Sequence, residues 1–429
     1  MRSFSIKLGL KEVPGVAGRL DVNIEGDEVS VKVNFGALQD PRFFEKIVRD
    51  RDLTEVPYVM SRICGVCSVV HLTCSILAIE RALGIEPVKN VLTLRKIAKG
   101  LEIVQNNIIH VLMTVPDFTG VENVIEFSKQ YPSLFSRMIE LNSNVLDVYK
   151  RIGGRFVHTP SIGMVFHGKP VYKQELESVS RRLLDVSNEL CDLSYDLSEL
   201  WRPVLPSFED AVPTYCALDG REEYAFFSRK LYFSDGVCVP AERYNEVIKE
   251  LKTDYSNAHY TLYKDKPFYT GARARIQLHY DLLTENAKNV EKILAPEYSN
   301  PFDNVKAQYI EAVYLSEVLS SMAKELADSI KHSIKPFYLK RDENHDGEGV
   351  GLATAPRGTL IHHYKIKNGG MYEANVITPT VINARHIEIN SEKLIKTLMD
   401  AGEDDEKHLR KVTEALLRSY DPCLPCAVH

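Results

Sequence analysis

Two hydrophobic periods divide the chain. Residues 18–35 alternate apolar and polar side chains in two runs, which are separated by the turn-forming segment 25–28. A period of two predicts a β-hairpin that buries one face. From about residue 68 the apolar residues recur every three or four positions, which is the period of an amphipathic helix.

The helical period predicts much of the remaining chain. It covers residues 69–83, 90–115, 136–151, 174–200, 241–254 and 304–334, and a final helical pair over 391–418 that breaks near Gly402. Residues 203–240 mix Pro, Gly and aromatic residues, and residues 341–390 are rich in glycine. Both of these segments are expected to form loops, turns and short strands.

Together these elements predict a mainly α protein with small β elements (α+β). We expect a single domain over residues 1–429, in which a β-hairpin appendage (1–50) accompanies a large helical-bundle core (51–202 and 241–335). Residues 341–429 are expected to add a β segment, near 341–390, and C-terminal helices that end in a metal-binding tail.

Composition narrows the class of protein. The 429 residues carry a net charge of -6 and 44% are hydrophobic, which is typical of a globular chain. The sequence contains no block of Lys and Arg residues of the kind that indicates a surface for nucleic acid or an anionic membrane. The N-terminus does not resemble a signal peptide, and the richest apolar stretch, residues 58–79, is interrupted by Arg62 and His71. We therefore expect a cytoplasmic protein that neither inserts into a membrane nor binds nucleic acid.

Four of the eight cysteines form two Cys-x-x-Cys pairs, Cys64 with Cys67 and Cys423 with Cys426. In the cytoplasm thiols remain reduced, so such clusters indicate metal binding or catalysis. Two pairs together can supply four thiolates to one site. Taken alone, the pairs favour a structural zinc site or a thiol redox motif.

Two further observations favour a reactive metal. The pairs are 359 positions apart, whereas structural zinc usually joins closely spaced pairs. Each pair is also followed by a histidine: His71 lies four residues after Cys67, and His429 lies three residues after Cys426. A closed zinc site has no use for these histidines, whereas a reactive metal needs polar groups around its ligands.

The sequence around both pairs resembles a known family. The segments from Arg62 to His71 (Arg-Ile-Cys-Gly-Val-Cys-x-x-x-His) and from Asp421 to His429 (Asp-Pro-Cys-x-x-Cys-x-x-His) resemble the two signature motifs of the catalytic large subunit of [NiFe]-hydrogenases. The likeness extends to residues 41–45, 355–358 and 378–380. The compact size is similar to that of the soluble cofactor-coupled branch, which is linked to NAD(P) or deazaflavin.

The resemblance implies a Ni–Fe centre. Nickel would be held by four thiolates, and the second Cys of each pair would bridge to an iron that carries carbonyl and cyanide ligands. The four ligands would be Cys64, Cys67, Cys423 and Cys426. Soft thiolates suit both metals. Cys423, a terminal ligand, is expected to accept the proton when H2 is cleaved.

The resemblance also assigns the groups that face the metals. Arg357 would lie over the open metal face, with Asp117 as its electrostatic partner and Asp421 as a second one. Pro379 and Thr380 would contact the cyanides. Without the motif, Arg357 would be interpreted as a surface residue in a glycine-rich turn.

Two histidines are assigned by the same resemblance. His71 would donate to a bridging sulfur, although a lone helical histidine is more often a core residue. His429, with Glu45 and the Val376 carbonyl, would ligate a separate Mg2+ or Fe2+ whose water ligands can pass protons. The resemblance also implies that a C-terminal tail is removed after His429 during maturation.

The chain departs from the family pattern at three positions. Gly15 stands where a proton-relaying Glu is expected, and Glu12, three positions earlier, replaces it only if the loop bends differently. Asn107 replaces a helical His, and Thr354 replaces a Glu. Because the four cysteines are retained, these departures indicate a divergent branch rather than lost chemistry.

The remaining cysteines are too few for iron–sulfur clusters, and no nucleotide-binding motif is found. The resemblance therefore implies reversible H2 oxidation with electron transfer to an iron–sulfur small subunit, and then through diaphorase-type flavin and iron–sulfur subunits to a soluble acceptor. Two alternatives remain. One is a hydrogenase-derived structural or electron-transfer subunit of a larger complex, a class that loses the cysteines; the other is a scaffold built on a tetrathiolate zinc.

Overall fold

The computed structural model describes residues 2–8, 16–25, 28–37, 41–163, 168–201, 205–335 and 345–429. Glu12 and Gly15, which bear on the predicted proton route, lie outside these ranges.

Helices form most of the described chain. They are α1 (Phe43–Ile47), α2 (Val56–Met60), α3 (Ser68–Ala82), α4 (Lys89–Thr119), α5 (Val124–Gln130), α6 (Pro132–Gly153), α7 (Lys173–Leu200), α8 (Ala272–Leu278), α9 (Glu285–Leu294), α10 (Asn304–Ser329), α11 (Pro379–Asp400), α12 (Glu406–Ser419) and α13 (Leu424–Val428).

The strands are short and all of their pairings are antiparallel within the described residues. They are β1 (Arg2–Leu8), β2 (Val16–Glu25), β3 (Glu28–Ala37), β4 (Val171–Tyr172), β5 (Cys216–Leu218), β6 (Lys230–Phe233), β7 (Cys238–Pro240), β8 (Ile248–Thr253), β9 (Ser256–Tyr263), β10 (Ser333–Ile334), β11 (Gly347–Ala355), β12 (Gly358–Lys367) and β13 (Gly370–Ile377). The predicted α+β class is confirmed.

The predicted N-terminal hairpin is confirmed as β2 and β3, and β1 adds a third strand that the pattern did not predict. Leu20, Val22, Val33 and Phe35 are buried on one face, as alternation requires. That face lies against α11, whose Glu388 accepts a hydrogen bond from the backbone N–H of Phe35 (3.0 Å). The hairpin is thereby fixed to the helix that begins at Pro379.

The helical core is built from α4, α6, α7 and α10, which pack against one another. Helix α4 is 31 residues long and carries a dense row of buried apolar residues. It also buries Lys99 and Glu102, two charged residues one turn apart. Charged groups are rarely this deep without a specific partner, so both indicate polar structure inside the core.

A three-stranded sheet, β11–β12–β13, packs against α3. Every second residue at the start of β11 is a glycine, and this spacing lets the strand backbone approach the helix backbone. A Cβ added at Gly351 would lie only 2.3 Å from the carbonyl oxygen of Cys74, and one at Gly349 would lie 2.2 Å from that of Ala78. The close approach brings the end of β11 beside the start of α3.

Three predicted boundaries are wrong. Residues 241–254 do not form one helix: residues 241–246 are a short 3-10 helix, and β8 follows and pairs with β9. The helix predicted to reach residue 334 ends at Ser329. Residues 379–390 belong to α11 rather than to the β segment, because Pro379 occupies a first-turn position where its missing N–H costs nothing.

In the described residues no single helix has the length and hydropathy needed to cross a membrane. Among the helices that the structure describes, α4 and α5 taken together, with a 79° bend between them, meet that criterion of length and composition.

Candidate metal centre

Four sulfur atoms meet where the start of α3 faces the end of the chain. The Sγ atoms of Cys64, Cys67, Cys423 and Cys426 lie within 4.8 Å of one another, and all four residues are buried. Cys64 and Cys423 are 3.5 Å apart at Sγ, and Cys67 and Cys426 are 3.3 Å apart. Cys423 and Cys426, which belong to the same Cys-x-x-Cys segment, are also adjacent at Sγ. The predicted convergence of the two pairs is therefore present.

The first pair is organised by the start of α3. The backbone N–H groups of Val66 and Cys67 both donate to the Cys64 sulfur, each at 3.3 Å. The hydrogen bond from the Cys67 thiol and the charge of Arg357 lower the pKa of the Cys64 thiol, although burial opposes the shift. Both effects favour a thiolate, which is the form that binds metals.

Glu102, which sequence reasoning missed, completes the first turn of α3. Its two carboxylate oxygens accept the backbone N–H groups of Val69 (2.8 Å) and Val70 (2.9 Å). Burial raises the pKa of Glu102 to about 8, and the charge of Cys64 adds to this shift. An acidic residue flanked by the apolar Leu101 and Ile103 inside a helix was the available signal.

The second pair depends on contacts from outside its own segment. Helix α13 has only five residues, and Cys423 stands immediately before it. The Cys423 N–H donates to the hydroxyl oxygen of Thr380 at 2.9 Å. Just upstream, Asp421 adopts a left-handed backbone conformation with φ of 53°. Thr380 is therefore adjacent to the cluster, as predicted; Pro379 precedes it as the first residue of α11.

Arg357 connects the turn after β11 to the C-terminal segment that carries the second cysteine pair. Its Nε donates to the backbone carbonyl of Asp421 (2.6 Å), and its Nη2 lies 2.9 Å from the Asp421 carboxylate. Burial would lower the pKa of Arg357, but Asp421, Cys67 and Cys64 outweigh it and raise the pKa. The buried Nη1 has no hydrogen-bond partner among the described residues. A guanidinium with one free N–H edge thus lies near the cysteines.

The predicted pairing of Asp117 with Arg357 is wrong. Asp117 forms a two-point salt bridge with Arg418, at 2.7 and 2.8 Å, while Asp421 occupies the position beside Arg357. The reason is helical geometry: Asp117 lies in the last turn of α4, and Arg418 lies in the last turn of α12, which packs against it. Asn106, about three turns earlier on α4, reaches Asp421 instead and donates to it at 2.7 Å.

His71 lies one turn after Cys67 and is fully buried. Its ring is hydrogen-bonded to His362 (3.1 Å), which contacts the Tyr364 hydroxyl (2.5 Å), which in turn donates to Ser75 (2.9 Å). Burial and the nearby His429 lower the pKa of His71 to about 3. In the described structure the ring bonds to His362 rather than to a sulfur, so the predicted sulfur contact is not observed. His362 carried no sequence signal, because a single histidine in a strand is unremarkable.

Glu45, Val376 and His429 converge as predicted, but with a different backbone contact. His429 Nε2 lies 3.3 Å from Glu45 Oε1, and the same oxygen accepts the N–H of Val376 at 2.8 Å. The prediction used the Val376 carbonyl. Arg42 also binds the Glu45 carboxylate, at 2.9 and 3.1 Å, so a positive charge that sequence reasoning missed already neutralises part of this group.

A cavity of about 480 Å³ adjoins the cluster. Its wall includes Arg357, Asp421, Pro422 and the Gly65–Val66 segment between the first two cysteines. Val66 is 43% exposed, so this cavity opens to the molecular surface close to the metal ligands.

Comparison with known proteins agrees with this geometry. The family model described as nickel-dependent hydrogenase matches residues 42–175 and 221–429 of the chain. The chain is 29% identical to the alpha subunit of sulfhydrogenase 1 from Pyrococcus furiosus, over 100% of its own length and 99% of that protein. It is 25% identical to one subunit of the F420-non-reducing hydrogenase from Methanothermobacter marburgensis, with coverage of 99% and 95%.

A solved structure shares the whole fold. The NAD+-reducing [NiFe]-hydrogenase in its H2-reduced state superimposes with a TM-score of 0.82 at 20% identity, over 100% of both chains. At that identity the match concerns the fold, whereas the matched family segments contain both cysteine pairs, Arg357 and His429.

Proposed function

The chain belongs to the nickel-dependent hydrogenase family, and from this we propose that its four clustered cysteines hold a Ni–Fe centre at which H2 is cleaved. The enzyme is a hydrogenase large subunit that oxidises hydrogen. The convergence of Cys64, Cys67, Cys423 and Cys426, with all sulfurs within 4.8 Å, carries the proposal. We further assign the chain to the cofactor-coupled branch and to the cytoplasm, where a reducing environment keeps the four thiols available.

The donor set fits such a centre. Four buried sulfurs suit nickel and low-spin iron, and the unpartnered Nη1 of Arg357 is free for a group bound there. We propose that Cys64, Cys67, Cys423 and Cys426 would together hold the nickel, with Cys67 and Cys426 also contributing to the iron. When bound, a Ni–Fe centre with carbonyl and cyanide ligands on its iron supplies the two-electron chemistry of H2 cleavage.

The protein residues handle the proton. Cys423 Sγ would take one proton as H2 is cleaved, and the electron pair of the H–H bond would pass to the bound Ni–Fe centre. Thr380 fixes this residue through its backbone N–H, and Arg357 supplies positive charge that stabilises the thiolates before protonation. The proton then leaves through the protein, with Glu12 as the first candidate relay and Glu102 as the second, because Glu102 is the buried carboxyl that borders the first pair.

We propose a second ion, Mg2+ or Fe2+, at Glu45, His429 and Val376. A residue's N–H and C=O point to the same edge of a β-strand, so the Val376 carbonyl faces the side on which its N–H meets Glu45. A carboxylate, an imidazole and a carbonyl form a hard, oxygen-rich set that suits such ions. Arg42 shares the carboxylate, so we expect weak affinity at this site.

Electrons must leave through another subunit. We propose that an iron–sulfur small subunit covers the cavity mouth at Gly65 and Val66, where the backbone nitrogen of the exposed residue Val66 lies 3.3 Å from the Cys64 sulfur. Diaphorase-type flavin and iron–sulfur subunits would extend this complex to a soluble acceptor. Both related hydrogenase chains are single components of multi-subunit enzymes, which supports such an assembly.

The deciding experiment replaces the proton acceptor. We expect Cys423→Ser, in which three cysteine ligands remain, to lose H2/proton exchange when activity is expressed per bound nickel, because a hydroxyl cannot replace the thiolate as proton acceptor. Normal exchange at full nickel loading would refute the assignment of Cys423. Zinc without nickel in the wild-type protein would instead support a tetrathiolate scaffold, and nickel without any exchange would support a non-catalytic subunit.

A further inference from the structure

The turn that carries Arg357 rests on a buried ion pair. Arg275 of α8 binds Glu311 of α10 through two contacts of 2.6 Å, from Nε and from Nη2. The same guanidinium donates to the backbone carbonyls of Ala355 (3.2 Å) and Pro356 (3.0 Å). These are the two residues immediately before Arg357, so one side chain holds both peptide groups that lead into it.

The pair is enclosed and well satisfied. Glu311 is 1% exposed, and it also accepts hydrogen bonds from the Tyr224 hydroxyl (2.9 Å) and the Asn107 amide (3.0 Å). Removing two charges from water is expensive, and an apolar pair of similar volume is often equally stable. Stability alone therefore does not explain the pair, whereas its contacts with residues 355 and 356 do have a geometric consequence.

The turn needs such support because few residues define it. Residues 356–357 form the whole connection between β11 and β12. Gly358, with φ of 139°, closes the turn against Thr270, where an added Cβ would lie 2.3 Å from the threonine methyl group. On the other side, the N–H of Thr354 donates to the carbonyl of Phe226 (3.0 Å). Between these anchors lie the carbonyls of Ala355 and Pro356. Apart from pairing within the sheet, the hydrogen bonds that the structure shows to these two carbonyls come from Arg275.

We propose that Arg275 and Glu311 are positioning residues for hydrogen cleavage: they fix the 355–356 backbone so that Arg357 reaches Asp421 and the cysteine cluster together. This rests on the proposed function of Arg357. Arg275 touches neither the cysteines nor Asp421 in the described structure, so it acts only through the turn. A lysine cannot replace it, since one ammonium cannot span a carboxylate and two carbonyls with a planar fork.

The first experiment measures backbone order without using activity. In the assembled holoenzyme, Arg275→Lys and the milder Glu311→Gln should raise the amide hydrogen exchange of Thr354, Ala355, Arg357 and Gly358 about tenfold, with nickel content unchanged. Arg95→Lys is the matched control. Arg95 is equally buried and makes a two-point bond with Glu80 at 2.8 Å, but its backbone contact is Gly163 rather than the turn. Unchanged exchange in both test variants, or an equal change in the control, would overturn the proposal.

The second experiment asks whether the pair acts through Arg357. Arg275→Lys alone should lower kcat for H2/proton exchange by roughly 10- to 100-fold, as a displacement of about 1 Å does. In an Arg357→Lys background the same substitution should add almost nothing, because its target is already lost. Additive losses would reject positioning. If the wild-type enzyme lacked nickel or exchange, the proposed function would fail, while the amide-exchange result would still decide whether the pair orders the turn.

Discussion

Cys64 and Cys67 stand before a helix of 15 residues, whereas Cys423 and Cys426 stand around the start of a helix of five residues at the end of the chain. The first pair receives its hydrogen bonds from neighbouring backbone, and Glu102 caps the same helix end. The second pair depends on Thr380 and, through Asp421, on Arg357. The first half of the site is therefore shaped mainly by local backbone, with one supporting contact from α4, and the second half by contacts from distant segments.

The two cysteine pairs therefore differ in what fixes their position. A long helix packed against β11 gives the first pair a fixed position. The second pair joins it only when α11, the Arg357 turn and the chain end have assembled. Substitutions that remove ligands should damage both halves equally, whereas substitutions of supporting residues should affect the two halves differently.

The largest expected effect comes from replacing Cys426, one of the four cysteines proposed to hold the centre. Cys426→Ser should abolish nickel retention and H2/proton exchange, because a hydroxyl is a poor bridging ligand for soft metals. Cys74→Ser is the control: Cys74 is equally buried on α3 but lies outside the four-sulfur cluster. Nickel measured by elemental analysis should fall only in Cys426→Ser; equal retention in both variants would contradict the ligand assignment.

The second-largest effect is expected from Arg357, which lies near the first cysteine pair and contacts Asp421 beside the second. Arg357→Lys should lower H2/proton exchange by about 100-fold, since an ammonium cannot contact Asp421 twice and still present a free N–H edge. Arg418→Lys alters an arginine on the same cavity wall that binds Asp117 instead. A comparable loss in Arg418→Lys would revive the rejected role of Asp117.

Glu102 should make the first half sensitive to pH. Its carboxyl has a pKa of about 8 in the folded protein, because burial disfavours the charge, against an ordinary value near 4.5. The folded state therefore retains a proton that the unfolded state has lost, and stability falls as pH rises from about 4.5 to about 8, by on the order of a few kcal/mol.

Glu102→Gln cannot ionise, so its melting temperature should change less between pH 5 and pH 8 than that of the wild type. Glu55→Gln, which alters an exposed carboxyl, should keep the wild-type pH profile. Parallel profiles for Glu102→Gln and the wild type would show that Glu102 is already ionised in the folded protein.

The smallest effect should separate the two halves most cleanly. Thr380→Val leaves the Cys423 N–H without an acceptor, which costs about 1–3 kcal/mol and should speed nickel release to a chelator. Thr378→Val is matched to it, because the Thr378 hydroxyl is buried without a partner in the described structure. Equal release rates in the two variants would mean that the hydroxyl does not support the second pair.

Local pattern predicted the hairpin, the core helices and the glycine-rich sheet. It failed where a short segment is compatible with both the helical and the strand period. Residues 248–253 were predicted as helix but form β8, because they pair with β9, and this pairing cannot be predicted from the local pattern. It also assigned residues 379–390 to strands, although Pro379 starts a helix. Within the site, the family resemblance predicted the cysteines, Glu45, His429 and the contact of Asp421 with Arg357, but it wrongly made Asp117 the main partner of that arginine.

The sequence by itself determined the ligands of the site, because the identity and spacing of residues can be read along the chain. Two Cys-x-x-Cys pairs, each followed by a histidine, supply four sulfurs to one site wherever the fold brings them together. What the tertiary structure decided was pairing between distant groups. Asp421 rather than Asp117 meets Arg357, His362 meets His71, and Arg275 with Glu311 holds the arginine turn. Such contacts depend on how helices pack in three dimensions, and neither periodicity nor spacing along the chain records that geometry.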